Sequence, residues 1–192
     1  MKLLRKGLEM ALTPSVMPEL GTKAPKFRLM STEGIWVSSD AYVGKTPMLV
    51  MFICNHCPYV KHLRIELGTL TKELIGMGLG VVGINSNDAV KYPEDSFEKM
   101  KLEKKSSGWS FPYLFDETQE VAKAYQAACT PDFFLYNAKG WLVYRGQFDD
   151  SRPGNGIAIT GKDLRLACEQ TLNEQDVSVS QRPSVGCNIK WK

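Results

Sequence analysis

Apolar runs alternate with segments of helical periodicity through the first half of the chain. TPMLVMFIC (46–54) is apolar almost throughout and too short for a buried helix, which predicts a central strand. Residues 58–77 repeat apolar side chains at three- and four-residue steps and carry Pro58 in the first turn, which predicts a helix. LGVVGINS (79–86) predicts the next buried strand. The order strand, helix, strand indicates a right-handed parallel crossover.

The rest of the chain predicts two hairpins and further helices. One hairpin covers 26–39 around Glu33-Gly34, and a second covers 132–147 with its turn at 137–140. The remaining predicted elements are helices over 96–105, 118–128 (capped by Thr118 or Asp116) and 161–173, and a short extended segment over 110–116. Together these patterns predict an α/β fold that closes with an antiparallel hairpin.

The two ends of the chain differ from this middle. Leucines at helical spacing predict a short amphipathic helix over about 2–12, and Glu9 within it argues against a secretory signal. The last residues are polar and predict an irregular tail that ends in a compact Cys/Ile/Trp cluster. We therefore divide the chain into an extension (1–19), one domain (20–175) and a tail that docks on it (176–192).

Composition restricts the classes of function. The chain has 192 residues, 43% of them hydrophobic and 23% charged, with a formal net charge of +3. These values are typical of a globular protein with a substantial core. The most basic stretch, 99–107, reads as one solvated helix face, so we expect no nucleic acid as partner. No run approaches the ~20 apolar residues of a membrane span.

Cysteines are the main chemical signal. Their number, five, is odd, which excludes a fully paired secreted framework. Because the sequence predicts neither a secretory signal nor a membrane span, we expect a cytoplasmic protein. In a reducing cytosol, clustered cysteines more often serve catalysis or metal binding than structural bridging. Cys54 and Cys57 form a C-x-x-C motif with His56 between them, and His62 follows in the predicted helix.

The position of this motif favours redox chemistry. It lies at the carboxyl end of the predicted central strand and opens the following helix, whose N–H groups and dipole stabilise a thiolate. Cys54 is the expected low-pKa nucleophile and Cys57 the more sheltered resolving thiol. His56 is expected to favour the Cys54 thiolate, which would make the disulfide more oxidising than that of a general-purpose reductase.

The strand, the C-x-x-C motif, the long helix and ACTPDFFLYNAKGWLVYRGQ (128–147) together resemble the thioredoxin fold. Over about 20–172 the chain is similar to the redoxin branch, and CNHCPYV, CTPDFF and GCNIKWK resemble an AhpC/TSA-related, peroxiredoxin-like group of bacterial redoxins. The resemblance implies a three-layer α/β/α fold with a mixed central sheet. It also implies that Pro131, after Thr130, is cis and lines the substrate groove with Asn55.

The chain departs from the peroxiredoxin pattern P-x-x-x-T-x-x-C. If Cys57 takes the place of the reactive cysteine, Cys54 occupies the threonine position and Val50 the proline position. The arginine expected before the late strand is replaced around Pro131. Because a peroxidatic cysteine needs such donors to polarise peroxide, these changes weaken a peroxidase assignment.

The chain also departs from thioredoxins, which place a buried carboxylate six residues before the first cysteine. Met48 stands at that position here, so the sequence does not show how the resolving thiol loses its proton. Glu66 and Asp132 are the candidate substitutes.

The other cysteines leave alternatives open. Cys129, close to Pro131, is either a small packing residue or a third redox thiol, and Cys187 either docks with the apolar tail or supplies a further redox thiol. Cys168, among leucines of the last predicted helix, is expected in the core. A metal site from Cys54, Cys57 and His62 is less favoured, because a cysteine and a histidine five apart on a helix face different ways.

We predict a thiol–disulfide oxidoreductase that needs no bound cofactor and no metal. Its expected partners are a protein or low-molecular-weight disulfide and a thiol reductant. The alternatives are a thiol-dependent peroxidase, a metal carrier of the same fold, and a redox-inert interaction domain. The candidate site residues are Cys54 and Cys57 as catalytic thiols, Asn55, His56, Thr130 and Pro131 around them, and Cys129 and Cys187 as additional thiols.

Overall fold

Strand β4 (Met48–Phe52) lies at the centre of the molecule, and each of its residues is buried. The computed structural model describes residues 12–192. β4 pairs in parallel with β5 (Gly80–Asn85) on one side and antiparallel with β8 (Asp132–Tyr136) on the other. A strand covered on both faces requires a continuous apolar run, which explains why the sequence shows no alternation there.

Within residues 12–192 the main sheet has seven strands in the order β3-β2-β6-β5-β4-β8-β9 and is mixed, as predicted. Both predicted hairpins are confirmed, since β2 pairs with β3 and β8 with β9. A second sheet of three strands has the order β1-β10-β7. The remaining strands are β1 (Leu12–Pro14), β2 (Arg28–Ser31), β3 (Trp36–Ser38), β6 (Tyr113–Phe115), β7 (Cys129–Thr130), β9 (Leu142–Gly146) and β10 (Val185–Asn188).

Helices cover both faces of the main sheet and produce three layers. They are α1 (Pro58–Gly76), α2 (Phe97–Ser107), α3 (Glu120–Ala124) and α4 (Lys162–Leu172). Side chains of α1, α2 and α4 share one core with Phe133, whereas α3 packs on the opposite side with Phe134. Each fully buried aliphatic or aromatic side chain stabilises such a core by about 1.5–3 kcal/mol. No helix within residues 12–192 is long and apolar enough to cross a membrane.

Helix α3 is shorter than the helix predicted over 118–128. Gln119 and Gln126 have positive φ (65° and 54°), so the backbone leaves the right-handed helical region on both sides of α3. The buried carboxylate of Asp116 accepts backbone N–H groups at the helix start. Asp116, one of the two caps considered from the sequence, therefore stabilises this end.

The tail is a second correction. It was predicted to be irregular, but Val185–Asn188 forms strand β10 between β1 and β7. The local sequence of the tail is polar and does not indicate a strand. The strand forms because β1 and β7, which are remote in the sequence, lie on either side of it in the folded chain. The helix predicted over 2–12 lies outside the described residues except for Leu12, which begins β1.

Candidate active site

Strand β4 and helix α1 position the two cysteines of the motif. β4 ends at Phe52, and Cys57 is the N-cap of α1, with extended backbone angles (φ −63°, ψ 123°). Pro58 takes the first helical position, where a missing N–H costs no hydrogen bond. The prediction that the motif joins a central strand to a helix is confirmed.

The loop that contains Pro131 faces the motif. The Thr130–Pro131 peptide bond is cis, as the family resemblance implied. The hydroxyl of Thr130 lies 3.4 Å from the sulfur of Cys54, and its carbonyl oxygen lies 3.1 Å from the sulfur of Cys57. A single residue before the proline therefore contacts both thiols of the pair.

The C-terminal strand brings a third thiol to this site. Cys187 lies opposite Thr130 in the β10–β7 pairing, and its sulfur is 3.1 Å from the sulfur of Cys57. The other two cysteines are placed differently. The sulfur of Cys129 lies 3.5 Å from the carbonyl oxygen of Pro131, and Cys168 is buried in the core.

The thiolate is favoured on Cys57. The contact with Cys187 is the largest cause that lowers the pKa of Cys57, and hydrogen bonds from Cys54 and from the Val60 backbone N–H lower it further against the opposing effect of burial. The carbonyl oxygen of Thr130 favours the thiol form, but several donors outweigh this one acceptor. These contacts explain how Cys57 can lose its proton without a buried carboxylate nearby.

Cys54 has the opposite environment. Burial raises the pKa of Cys54 well above its usual value, and the neighbouring Cys57 thiolate and the charge of Asp95 raise it further. Cys54 was expected to be the low-pKa thiol, and this arrangement does not meet that expectation. Both thiols are almost fully buried, so the difference lies in their hydrogen bonds. Cys187 and the Val60 backbone N–H at the helix start favour the Cys57 thiolate, whereas only the Thr130 hydroxyl opposes the effect of burial at Cys54.

His56 interacts first with a carboxylate. Its Nδ1 lies 2.6 Å from Oδ2 of Asp95, which is fully buried, and this hydrogen bond raises the pKa of His56. Burial acts to raise the pKa of Asp95, but hydrogen bonds from His56 and Asn87 outweigh it and lower that pKa. The ring of His56 also stacks on Tyr92 at 5.7 Å. Any influence of His56 on the thiols therefore acts together with Asp95.

Asn55 is held by three hydrogen bonds. Its backbone N–H donates to Asp95 at 2.7 Å, its side-chain amide donates to the carbonyl of Glu94 at 2.8 Å, and the Tyr113 hydroxyl donates to its Oδ1 at 3.0 Å. These contacts fix the loop between the cysteines.

Sequence reasoning missed Asp95 and Asn87. A signal for Asn87 existed, since polar residues follow β5 at the same carboxyl edge of the sheet as the motif. Asp95 had no comparable signal, because it is 39 residues from His56 and reaches it through the loop after β5.

Potential metal ligands also meet here. Ligand atoms of Cys54, His56 and Asp95 lie within 4.8 Å of one another. The Asp95 oxygens, however, already accept hydrogen bonds from Asn55, His56 and Asn87, which occupies the carboxylate in holding the loop. His62 lies outside this group, so the ligand set considered from the sequence is not brought together.

The two carboxylates considered as proton acceptors lie elsewhere. Glu66 is exposed on α1. Asp132 is buried beside the backbone N–H of Ala128, and its charge acts on Cys129 rather than on the pair. Burial raises the pKa of Asp132 to about 7.

A cysteine pair between a buried strand and a helix, facing a cis-proline loop on a mixed sheet, defines a redoxin of the thioredoxin fold. The model of the AhpC/TSA family matches residues 20–145. The chain belongs to this family.

Two solved structures resemble almost the whole chain. A hypothetical protein from Sinorhizobium meliloti 1021 is 49% identical over 94% of this chain and 98% of its own, with a TM-score of 0.91. An uncharacterized conserved protein from Geobacillus kaustophilus is also 49% identical, over 96% and 98%, with a TM-score of 0.93.

A more distant structure shows the fold alone. A secreted disulfide oxidoreductase of Mycobacterium tuberculosis is 16% identical over 74% of this chain and 94% of its own, with a TM-score of 0.59. Among curated protein sequences, none matches this chain significantly.

Proposed function

We propose that this protein is a thiol–disulfide oxidoreductase in which Cys54 and Cys57 cycle between dithiol and disulfide. The observation that carries the proposal is the placement of both sulfurs against Thr130, with Cys57 at the helix start where its thiolate is stabilised. Membership of a redoxin family supports it.

The reaction follows from this arrangement. Cys54 first gives its proton to the neighbouring Cys57 thiolate and then attacks one sulfur of a substrate disulfide, which forms a mixed disulfide. The released substrate thiolate takes that proton from Cys57 and leaves as the first substrate thiol. The Cys57 thiolate then attacks the Cys54 sulfur, which releases the second substrate sulfur as a thiolate and leaves a Cys54–Cys57 bridge. The one proton that the reduced pair retains leaves on a released thiol. An external thiol reductant restores the dithiol, and no bound cofactor is required.

His56 and Asp95 serve as positioning residues in this proposal. The negative charge of Asp95 opposes ionisation of Cys54, and His56 offsets that charge when its ring is protonated, which the hydrogen bond with Asp95 favours. His56 is the more exposed member of the loop, since its side chain is 19% exposed. Because Cys54 itself is almost fully covered, a substrate reaches it only after a local opening around His56 and Asn55.

The substrate class is a protein or low-molecular-weight disulfide, and the proposed compartment is the cytoplasm. An odd number of cysteines, which cannot all pair within the chain, suits a reducing environment better than an oxidising one.

Reduction of an insulin disulfide by an external dithiol tests the proposal. We expect Cys54→Ser and Cys57→Ser to lower turnover to background, and Cys57→Ser to accumulate a mixed disulfide on Cys54. Cys168→Ser is the matched control, because Cys168 is equally buried but lies on α4, and it should keep full turnover. Wild-type turnover in the Cys54→Ser variant would exclude this mechanism.

Thiol peroxidase activity is the second candidate, because it is also compatible with a favoured Cys57 thiolate at a helix N-terminus. Against it stand the full burial of Cys57 and the replacement of the threonine and proline of the peroxiredoxin pattern. Rapid single-turnover peroxide reduction that persists in Cys54→Ser would favour this candidate over the first.

A further inference from the structure

The distance between Cys57 and Cys187 is short enough for a covalent alternative to the Cys54–Cys57 bridge. Their sulfurs are 3.1 Å apart and both side chains are almost fully buried. A disulfide has an S–S distance of about 2.05 Å, so the two sulfurs need to approach by only about 1 Å. Cys57 thus has a neighbouring thiol on each side, one in the motif and one in the tail.

Backbone contacts hold Cys187 in this place. β10 lies between two strands, and Cys187 is paired with Thr130 on one side and Leu12 on the other. The tail is also held beyond the strand, since the N–H of Ile189 donates to the carbonyl of Ala128 at 3.1 Å and the N–H of Asp88 donates to the carbonyl of Lys190 at 2.8 Å.

Gly186 permits the close approach of this strand. A Cβ at Gly186 would lie 2.0 Å from the carbonyl oxygen of Thr130. Only glycine therefore lets β10 approach the proline loop this closely. The position of the Cys187 sulfur is a consequence of this backbone arrangement and not only of side-chain packing.

We propose that Cys187 is a third redox thiol, which exchanges with the Cys54–Cys57 disulfide to form a Cys57–Cys187 disulfide. This inference rests on the proposed function. In the step, the Cys187 sulfur attacks the Cys57 sulfur, the Cys57–Cys187 bond forms, and the Cys54–Cys57 bond breaks. Cys54 leaves as thiolate and takes up the proton that Cys187 gave up. The exchange is internal and redox-neutral, so the substrate disulfide is the only oxidant needed.

The charge of Cys57 determines in which redox state Cys187 can attack. In the reduced site, the hydrogen bond with Cys57 is the first cause that raises the pKa of Cys187. Once Cys57 is in a disulfide with Cys54 it carries no charge, and that cause is removed. Cys187 therefore becomes easier to ionise in the one redox state that offers it a disulfide to attack. The product stores the oxidising equivalents in the tail and returns Cys54 to the thiol state.

Mapping of disulfides in the full chain tests the proposal. The wild type and variants are equilibrated with mixtures of oxidised and reduced glutathione, the remaining thiols are alkylated, and peptides are identified by mass. We expect Cys54→Ser to contain an internal Cys57–Cys187 bridge, and Cys54→Ser/Cys187→Ser to lack it. Cys129→Ser is the matched control, because Cys129 lies in the partner strand β7 and is as deeply buried; Cys54→Ser/Cys129→Ser should keep the bridge.

The wild type provides a second measurement. Because the exchange is internal, the ratio of Cys57–Cys187 to Cys54–Cys57 bridges should not change with the glutathione ratio. If Cys54→Ser forms no Cys57–Cys187 bridge while folded by circular dichroism, and the wild type forms Cys54–Cys57, Cys187 is a packing residue and the inference is wrong. A Cys187→Ser variant that forms no Cys54–Cys57 bridge would instead overturn the proposed function.

Discussion

The imidazole of His56 and the carboxylate of Asp95 form a 2.6 Å hydrogen bond beside the cysteine pair. Asp95 is fully buried and also accepts the backbone N–H of Asn55 and the side-chain amide of Asn87. Through these contacts one carboxylate connects the loop between the cysteines to the loop after β5. Asp95 therefore links the two loops and is also the main influence on the pKa of His56.

Asp95→Asn should lower the pKa of His56. The Asp95 hydrogen bond is the largest cause that raises the pKa of His56 above its usual 6.5, so removal of the carboxylate charge removes most of that effect. Proton NMR titration of the ring resonances measures the change. The chain has only two histidines, and His62→Gln identifies the second resonance. An unchanged His56 titration in Asp95→Asn would contradict the pairing.

The same variant should alter the pH dependence of stability. A raised His56 pKa contributes stability that is present below about 6.5 and is lost as pH rises through the folded-state pKa. A lowered Asp95 pKa contributes stability that is present above about 3.8 and is lost as pH falls through the folded-state pKa. In Asp95→Asn, stability should no longer fall at either end of this pH range. Within the range, the free energy of unfolding should be lower than that of the wild type by about 1.5–3 kcal/mol, because a hydrogen bond to a charged group is lost. Urea unfolding across this pH range measures it.

Thiolate formation should depend on Cys57 and not on Cys54. The ultraviolet absorbance of the thiolate, followed during a pH titration, should show a low-pKa group in the wild type and in Cys54→Ser. Cys57→Ser should lack that group. Cys187→Ser should raise the pKa, because the contact with Cys187 is the largest cause that lowers it. A low-pKa thiolate that survives in Cys57→Ser would assign it to Cys54, as first expected from the sequence.

Gly186→Ala should displace β10 from the proline loop. Its new Cβ would meet the carbonyl oxygen of Thr130 at 2.0 Å, and a backbone atom cannot move aside without disturbing β7. We expect a loss of about 1–3 kcal/mol in the free energy of unfolding, which is typical of overpacking. Alkylation of Cys187 should become faster than in the wild type.

Gly76→Ala is the matched control for this substitution. A Cβ at Gly76, in the last turn of α1, meets no atom within 4 Å. Its stability should be unchanged or higher by up to about 1 kcal/mol, since alanine favours a helix over glycine. Equal effects of the two substitutions would show that Gly186 is not held against Thr130.

Asp132→Asn should flatten the fall in stability with rising pH. Burial raises the pKa of Asp132 to about 7, and its Oδ1 has no hydrogen-bond partner within residues 12–192. Between about pH 4 and pH 7 the folded protein retains a proton that the unfolded chain loses, so stability falls as pH rises. Each pH unit in that interval contributes at most about 1.4 kcal/mol. Exposed Asp176→Asn is the control and should keep the wild-type slope.

Local sequence patterns predicted most helices and strands, because burial in the core determines at which positions the side chains must be apolar. The apolar run of β4 reflects burial on both faces, and the periodicity of α1 reflects one buried face. α3 was predicted too long, because positive φ at Gln119 and Gln126 has no signal in residues that normally favour helices. β10 was missed because its partners in β1 and β7 are remote in the sequence.

The sequence by itself determined that a cysteine pair joins a central strand to a helix and that Thr130-Pro131 precedes the next strand of the sheet. Only the tertiary structure decided which groups surround that pair. Cys187 is 130 residues from Cys57 and Asp95 is 39 residues from His56, and neither separation restricts a distance until the sheets are formed. The tertiary structure also decides which of the two thiols ionises. The helix start and Cys187 both lower the pKa of Cys57, so the thiolate is favoured there and not on Cys54.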